Sequence, residues 1–132
     1  MTDKVLIENT KNFVKATLKN AEGGHDWFHT ERVFKNALLI SKGEKVDRLV
    51  VSLAALLHDI ADSKFHDGDE TVGPKMAREF LFKNNVDSNY IEHVVKIIEN
   101  MSYKSSLDTN KNVFFSQELA VVQDADRLDA IG

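Results

Sequence analysis

Leu49-Val50-Val51-Ser52-Leu53-Ala54-Ala55-Leu56-Leu57-His58-Asp59-Ile60-Ala61-Asp62 is the stretch on which the fold turns. From Leu49 to Leu57 it is apolar on almost every side, the pattern of a helix packed at the centre of a bundle. Asp47 stands where an N-cap would start that helix. Two polar, metal-capable side chains, His58 and Asp59, then follow without a break. Burying such groups without partners costs about 1–3 kcal/mol for a polar group and more for a charge. A bound cation would satisfy both and would explain why they are neighbours. The alternative is a helix C-terminus emerging into water, with His58 favoured by the dipole and the aspartates solvated.

Outward from this run the periodicities remain helical. Thr2 or Asp3 can cap a first helix that reaches about Asn20, with Val5, Leu6, Phe13, Val14 and Leu18 near its apolar face; Gly23-Gly24 breaks it. A second helix is predicted from near Asp26 to about Lys42, with Val33, Phe34, Ala37, Leu38 and Ile40 apolar and Gly43 at its end. Trp27 and Phe28 are expected to pack rather than stack on a base. Gly73-Pro74 opens a fourth helix, proline being tolerated at the first helical position. That helix buries Met76, Ala77, Phe80 and Leu81. Asp87 or Ser88 caps a fifth, which presents Ile91, Val94, Val95, Ile98 and Met101 at three- and four-residue spacing. Tyr103 to Phe115 reads as a loop or lid. Ser116 caps the last helix, which carries Asp124, Asp126 and Asp129. The expectation is an all-α, single-domain bundle of about six helices with one core.

Composition bounds the function. A chain of 132 residues is expected to form one domain. The formal net charge of -4 leaves no basic stripe for phosphate backbones, so no nucleic-acid partner is expected. Without cysteine there are no disulfides, thiolate zinc sites or cysteine nucleophiles. Met1-Thr2-Asp3-Lys4 lacks the charged-then-apolar pattern of a signal peptide, and no apolar run approaches the ~20 residues of a membrane span. The protein is expected in the cytoplasm, off the membrane; its oligomeric state is left open.

Three constellations carry chemistry. In the second helix His29 shares a face with Arg32, and with His25 if the helix extends back that far. Such a face could hold a metal and a phosphate together; the alternative is a solvated face with a cap at Asp26. In the third, His58 and Asp59 are about 100° apart on the helical wheel, with Asp62 one turn beyond His58. In the last, Asp124 and Asp126 point to nearly opposite sides, and Asp126, near the face of Leu119 and Val122, is the inward candidate. Taken jointly, a histidine from helix two, a His-Asp pair from helix three and an aspartate from the last helix give two imidazoles and two carboxylates. That mixed set suits Mn²⁺, Fe, Ni²⁺, Co²⁺ or Zn²⁺ better than Mg²⁺. Water on such an ion is a nucleophile near neutral pH, and the ion polarises a phosphoryl oxygen. Among lesser features, His93 is expected at the edge of the core and His66 in solvent. Asp67-Gly68-Asp69-Glu70 lacks the spacing of a calcium loop.

Gly-His-Asp-Trp-Phe-His-Thr-Glu-Arg-Val at 24–33 and Leu-His-Asp-Ile-Ala-Asp-Ser-Lys-Phe at 57–65 are joined by Gly-Asp-Glu at 68–70 and Gly-Pro-Lys at 73–75. Ile-Ile-Glu-Asn-Met-Ser-Tyr-Lys at 97–104 and Gln-Asp-Ala-Asp-Arg-Leu-Asp-Ala-Ile-Gly at 123–132 complete the series. With these motifs in this order, covering nearly all of it, the chain resembles the HD-domain superfamily of metal-dependent phosphohydrolases, in its small stand-alone bacterial form. The resemblance implies a metal held by His29, His58, Asp59 and Asp126. It implies that Asp62 and Lys64 are the catalytic and phosphate-contacting groups, and that Arg32 contacts phosphate. Apart from the resemblance, Lys104 at the start of the 103–115 loop is a candidate substrate contact, the alternative being a surface lysine. The cofactor it implies is one divalent transition-metal ion, Mn²⁺ first, with Fe, Ni, Co or Zn as alternatives and Mg²⁺ arriving with the substrate. The partner is a small phosphorylated molecule, a nucleotide in the first instance. Some relatives of this type split nucleoside triphosphates into monophosphate and pyrophosphate. The rivals are a phosphomonoesterase of nucleoside monophosphates and a non-catalytic metal- or nucleotide-binding module. Relatives continue with further helices beyond the equivalent of Gly132. The HD-domain-like unit 1–132 is therefore expected to be truncated at its C-terminal end, with Asp126 close to where a helix frays.

Overall fold

The computed structural model describes residues 2–19, 27–61, 71–102 and 114–131. Among these, six helices and no strand are found: α1 (Asp3–Leu18), α2 (Trp27–Ser41), α3 (Arg48–Leu57), α4 (Val72–Lys83), α5 (Ser88–Ser102) and α6 (Gln117–Ile131). The all-α expectation holds, with helix ends within a residue or two of those read from the sequence except at α3, which stops at Leu57 instead of carrying Asp59.

Capping explains most of the starts. Thr2 accepts from the Val5 N–H at 3.2 Å, and Asp47 Oδ1 accepts from Leu49 and Val50 N–H at 3.0 and 3.4 Å. Asp87 rather than Ser88 caps α5, accepting from the Asn89 N–H at 2.8 Å, and Ser116 Oγ caps α6 through the Leu119 N–H at 3.1 Å. α4 begins at Val72, one residue earlier than expected, so Pro74 falls at its third position. No penalty follows, because the first four N–H groups of a helix lack intrahelical acceptors. α4 ends on Asn85 at φ 60°, with Val86 N–H donating to Leu81 O at 3.1 Å and Asn85 N–H to Phe82 O at 3.0 Å. Asparagine is the residue besides glycine that takes this left-handed position at least cost.

α3 is the centre. Every residue from Val50 to Leu57 is buried, and the helix packs against α1, α2, α5 and α6. Its one buried hydroxyl, Ser52, donates to the Arg48 carbonyl at 2.7 Å, as Thr10 does to Leu6 and Ser41 to Ala37. Buried hydroxyls satisfied within their own helix leave the core chemically quiet. The rest of the core comes from Leu6, Val14 and Leu18 of α1, Val33, Phe34 and Ala37 of α2, Ala77 and Leu81 of α4, Ile91, Val94, Val95, Ile97 and Ile98 of α5 and Leu119, Val121, Val122 and Ala125 of α6. Two expectations fail. Val5 lies on the outer face of α1, and Phe28 is 66% exposed on the first turn of α2, while its neighbour Trp27 packs against the core under the Lys15 ammonium. The wheel explains both: each sits beside, not on, the stripe that faces α3.

α3 and α6 run side by side in the same direction. At their starts the Asp47 N–H donates to Glu118 Oε2 at 2.8 Å; at their ends His58 meets Asp126. α2 runs opposite to both, so its first turn lies against the last turns of α6. These directions bring the start of α2 and the ends of α3 and α6 to one place. Truncating the central helix at Leu53 or Leu56 to alanine should cost about 2–5 kcal/mol in urea unfolding. Leu39→Ala, at a residue 63% exposed, should cost no more than about 0.5 kcal/mol.

Candidate metal centre

α3 stops at Leu57, and His58 is its C-cap. Asp59 therefore lies beyond the helix, where wheel spacing no longer fixes its direction relative to His58. What positions His58 is the cap itself. Its Nδ1–H donates to the Ala55 carbonyl at 2.7 Å, one of the last carbonyls that α3 cannot satisfy internally. A carbonyl only accepts, so Nδ1 carries the proton and Nε2 turns away from the helix. That side chain is only 6% exposed.

His29, on the first turn of α2, is held the same way by a different group. Its Nδ1–H donates to Asp129 Oδ2 at 2.5 Å. Its Nε2 faces Asp126 Oδ1 at 3.4 Å, and His58 Nε2 faces the same oxygen at 3.7 Å. The two imidazoles stand edge to face, their centroids 5.9 Å apart. One donor atom from each of His29, His58 and Asp126 lies within 4.8 Å of the others.

These spacings fit a cation. Ligand bonds of about 2.0–2.2 Å put neighbouring donor atoms about 3.0–3.5 Å apart around an ion, close to the 3.4 and 3.7 Å seen here. Two imidazole nitrogens and a carboxylate oxygen suit Mn, Fe, Co, Ni or Zn. The electrostatics agree. Burial pushes the His58 imidazole down, but pairing with Asp126, the charge of Asp59 and the bond to Ala55 outweigh it, and the net shift is upward. The His58 imidazole in turn holds the Asp126 carboxyl below its ordinary range. Positive charge is favoured at the point where the three groups meet.

Of the other residues read from the sequence, Asp59 is half-buried on the turn after α3, close enough for its charge to act on His58 but outside the three-atom convergence. Arg32, one turn beyond His29, grips Asp129 through Nε to Oδ1 at 2.5 Å and Nη2 to Oδ2 at 3.3 Å. Asp124 is exposed, as the wheel required. Asp62, Lys64, Lys104, His25 and His66 lie outside the described residues. His93 sits at the edge of the core as expected, 2.9 Å from Ser116 Oγ and against the Phe114 ring, near the opposite end of α6.

The sequence alone assigns Asp129 no role, although its spacing is a signal: it is three residues from Asp126 and so shares its face. The Arg32 guanidinium, followed by His29, holds the Asp129 carboxyl down at about 2. Its ion pair thus adds stability above the ordinary aspartate value of about 4 and loses it as pH falls through about 2. In metal-free protein the difference in Tm between wild type and Asp129→Asn should be steady above about pH 5 and close between about pH 4 and 2. A difference that vanished near neutral pH would remove Arg32 as the partner that matters.

Residues 27–131 match the profile of the HD domain. Over all 132 residues the chain is 36% identical to the uncharacterized protein YpgQ of Bacillus subtilis (strain 168), covering 63% of it. The crystal structure of an HD-superfamily hydrolase from Bacillus thuringiensis superposes with a TM-score of 0.78 at 39% identity, over 98% of this chain and 60% of that one. The crystal structure of Bacillus subtilis YpgQ in complex with ADP superposes with a TM-score of 0.73 at 33% identity, over 100% of this chain and 62% of that one. The chain thus spans about three fifths of the length of these relatives. Since the matched profile runs through α2, α3 and α6 and takes in all three converging side chains, the chain belongs to the HD-domain family and has the fold of its hydrolases.

Proposed function

We propose that this chain, as one HD-domain-like unit spanning 1–132, is a metal-dependent phosphohydrolase acting on a nucleotide phosphate ester or anhydride. The convergence of His29, His58 and Asp126 is the observation that carries the reading. The hydrolase relatives and the ADP complex of YpgQ support it. In this reading Asp59, next to His58, is the fourth ligand, and the ion is Mn²⁺ first, with Fe, Ni, Co or Zn as alternatives and Mg²⁺ brought in with the substrate. Such an ion, when bound, supplies an ionised water near neutral pH and polarises a phosphoryl oxygen.

The chain's own residues take the remaining roles. Asp62 orients or deprotonates the attacking water. Lys64, Lys104 and Arg32 bind phosphate oxygens and balance the charge that builds on them, the dominant demand of phosphoryl transfer. Arg32 stands beside His29 with its side chain 57% exposed, its Nε and Nη2 held by Asp129, so that it meets a phosphate as a fixed positive charge at the rim of the centre. No described helix is long and apolar enough to cross a membrane; the cytoplasm, which holds a nucleotide pool, is the proposed location. Cleavage of a nucleoside triphosphate after its α-phosphate is the leading candidate reaction.

Elemental mass spectrometry of protein purified without added metal should find close to one transition-metal ion per chain, and Asp59→Ala should reduce it to a trace. Retention of metal and full metal-dependent turnover by Asp59→Ala would overturn the ligand set. With nucleoside triphosphates the product should be pyrophosphate. Orthophosphate released only from nucleoside monophosphates would replace this reaction with a phosphomonoesterase, and nucleotide-induced thermal stabilisation without turnover would make the chain a binding module.

A further inference from the structure

We propose that Asp129 is the positioning residue that fixes the proton of His29 on Nδ1 and sets its strength as a metal ligand, a role that rests on the metal reading above. α6 grips the same imidazole at both nitrogens. Asp126 faces Nε2 at 3.4 Å, and Asp129, one turn later on the same face, accepts from Nδ1 at 2.5 Å. Both carboxylates can only accept, but Asp129 lies at 2.5 Å from Nδ1 whereas Asp126 stands off at 3.4 Å from Nε2, so the shorter contact selects the tautomer whose Nε2 lone pair points at the centre. A negative partner on Nδ1–H also makes the imidazole a better donor, as second partners of metal-bound histidines do. His58 differs here, for its Nδ1 is held by the neutral Ala55 carbonyl. The two imidazoles are oriented alike, but only one of them is charged from behind.

Asp129 is also shared. Oδ2 accepts from both His29 Nδ1 and Arg32 Nη2, and Oδ1 accepts from Arg32 Nε. The guanidinium thus draws off part of the charge that would otherwise act on His29. Removing Arg32 leaves that charge to the imidazole; removing the charge of Asp129 takes it away altogether. The side chain of Asp129 is 11% exposed and that of His29 23%, whereas Arg32 stands 57% exposed. A carboxylate that merely tied α2 to α6 would give a different pattern, because either substitution breaks that tie.

Two readouts test this. In the metal-free wild type at mildly alkaline pH, long-range ¹H–¹⁵N NMR should show the His29 ring protonated at Nδ1, its signals identified by their loss in His29→Gln. In Asp129→Asn the population should move toward the Nε2 tautomer. In Mn²⁺ titration calorimetry, Asp129→Asn should bind about tenfold to a hundredfold more weakly than wild type. Arg32→Gln should bind as tightly as wild type or more tightly. A wild-type His29 protonated at Nε2 would overturn the proposal, as would equal losses of Mn²⁺ affinity in both variants. A wild type that takes up no Mn²⁺ overturns the metal reading instead, and the tautomer then decides the role of Asp129 without it.

Discussion

Asp126 places one carboxylate oxygen between two imidazoles that arrive from different helices, 3.4 Å from His29 and 3.7 Å from His58. That meeting depends on helix direction. α3 and α6 must run in parallel so that His58 at the end of one reaches Asp126 near the end of the other. α2 must run against them so that its first turn arrives at the same point. The apolar surface of α3 enforces this, since burial on all sides requires neighbours on all sides. Asp47 pinned to Glu118 sets the register from the far end. The core therefore does more than stabilise the bundle; it delivers three polar side chains to one corner.

That corner is held by charge as well as by packing. His58 is shifted toward its protonated form, while Asp126 and Asp129 are shifted toward their ionised forms. The same groups that would surround a cation thus attract protons without one. A ligand ion must displace those protons, which ties metal affinity to pH. The last turns of α6, where fraying was expected, are tied to α2 by both His29 and Arg32. The tie comes from side chains rather than from the helix's own hydrogen bonds.

Much of the fold was legible because its strongest signals are local. The run from Leu49 to Leu57 has no other comfortable place than a bundle centre, and Asp47 and Ser116 are caps whose geometry depends on a few neighbouring residues. The wheel separated Asp124, which is exposed, from Asp126, which turns toward His29 and His58 while its side chain stays 41% exposed, because α6 is regular through both. It misled at Asp59, where α3 has already ended on the His58 cap, and at Phe28, where an aromatic side chain lies just off the buried stripe. Asp129 shows the other limit. Its spacing from Asp126 was visible, but its partners His29 and Arg32 are 100 and 97 residues away, and only the packing of α2 against α6 reveals them. Asp62 and Lys64 owe their roles to family resemblance and Lys104 to its place at the start of a polar stretch; all three lie outside the described residues.

The most direct measurement is an anomalous difference map from crystals of this chain grown with Mn²⁺, collected where manganese scatters anomalously. A single strong peak within bonding distance of His29 Nε2, His58 Nε2 and an Asp126 oxygen, with Asp59 as the next nearest ligand, is the expected result. A peak elsewhere, or no peak at that point in crystals whose mother liquor holds ample Mn²⁺, would contradict the account. The convergence would then be a knot of ion pairs rather than a metal centre.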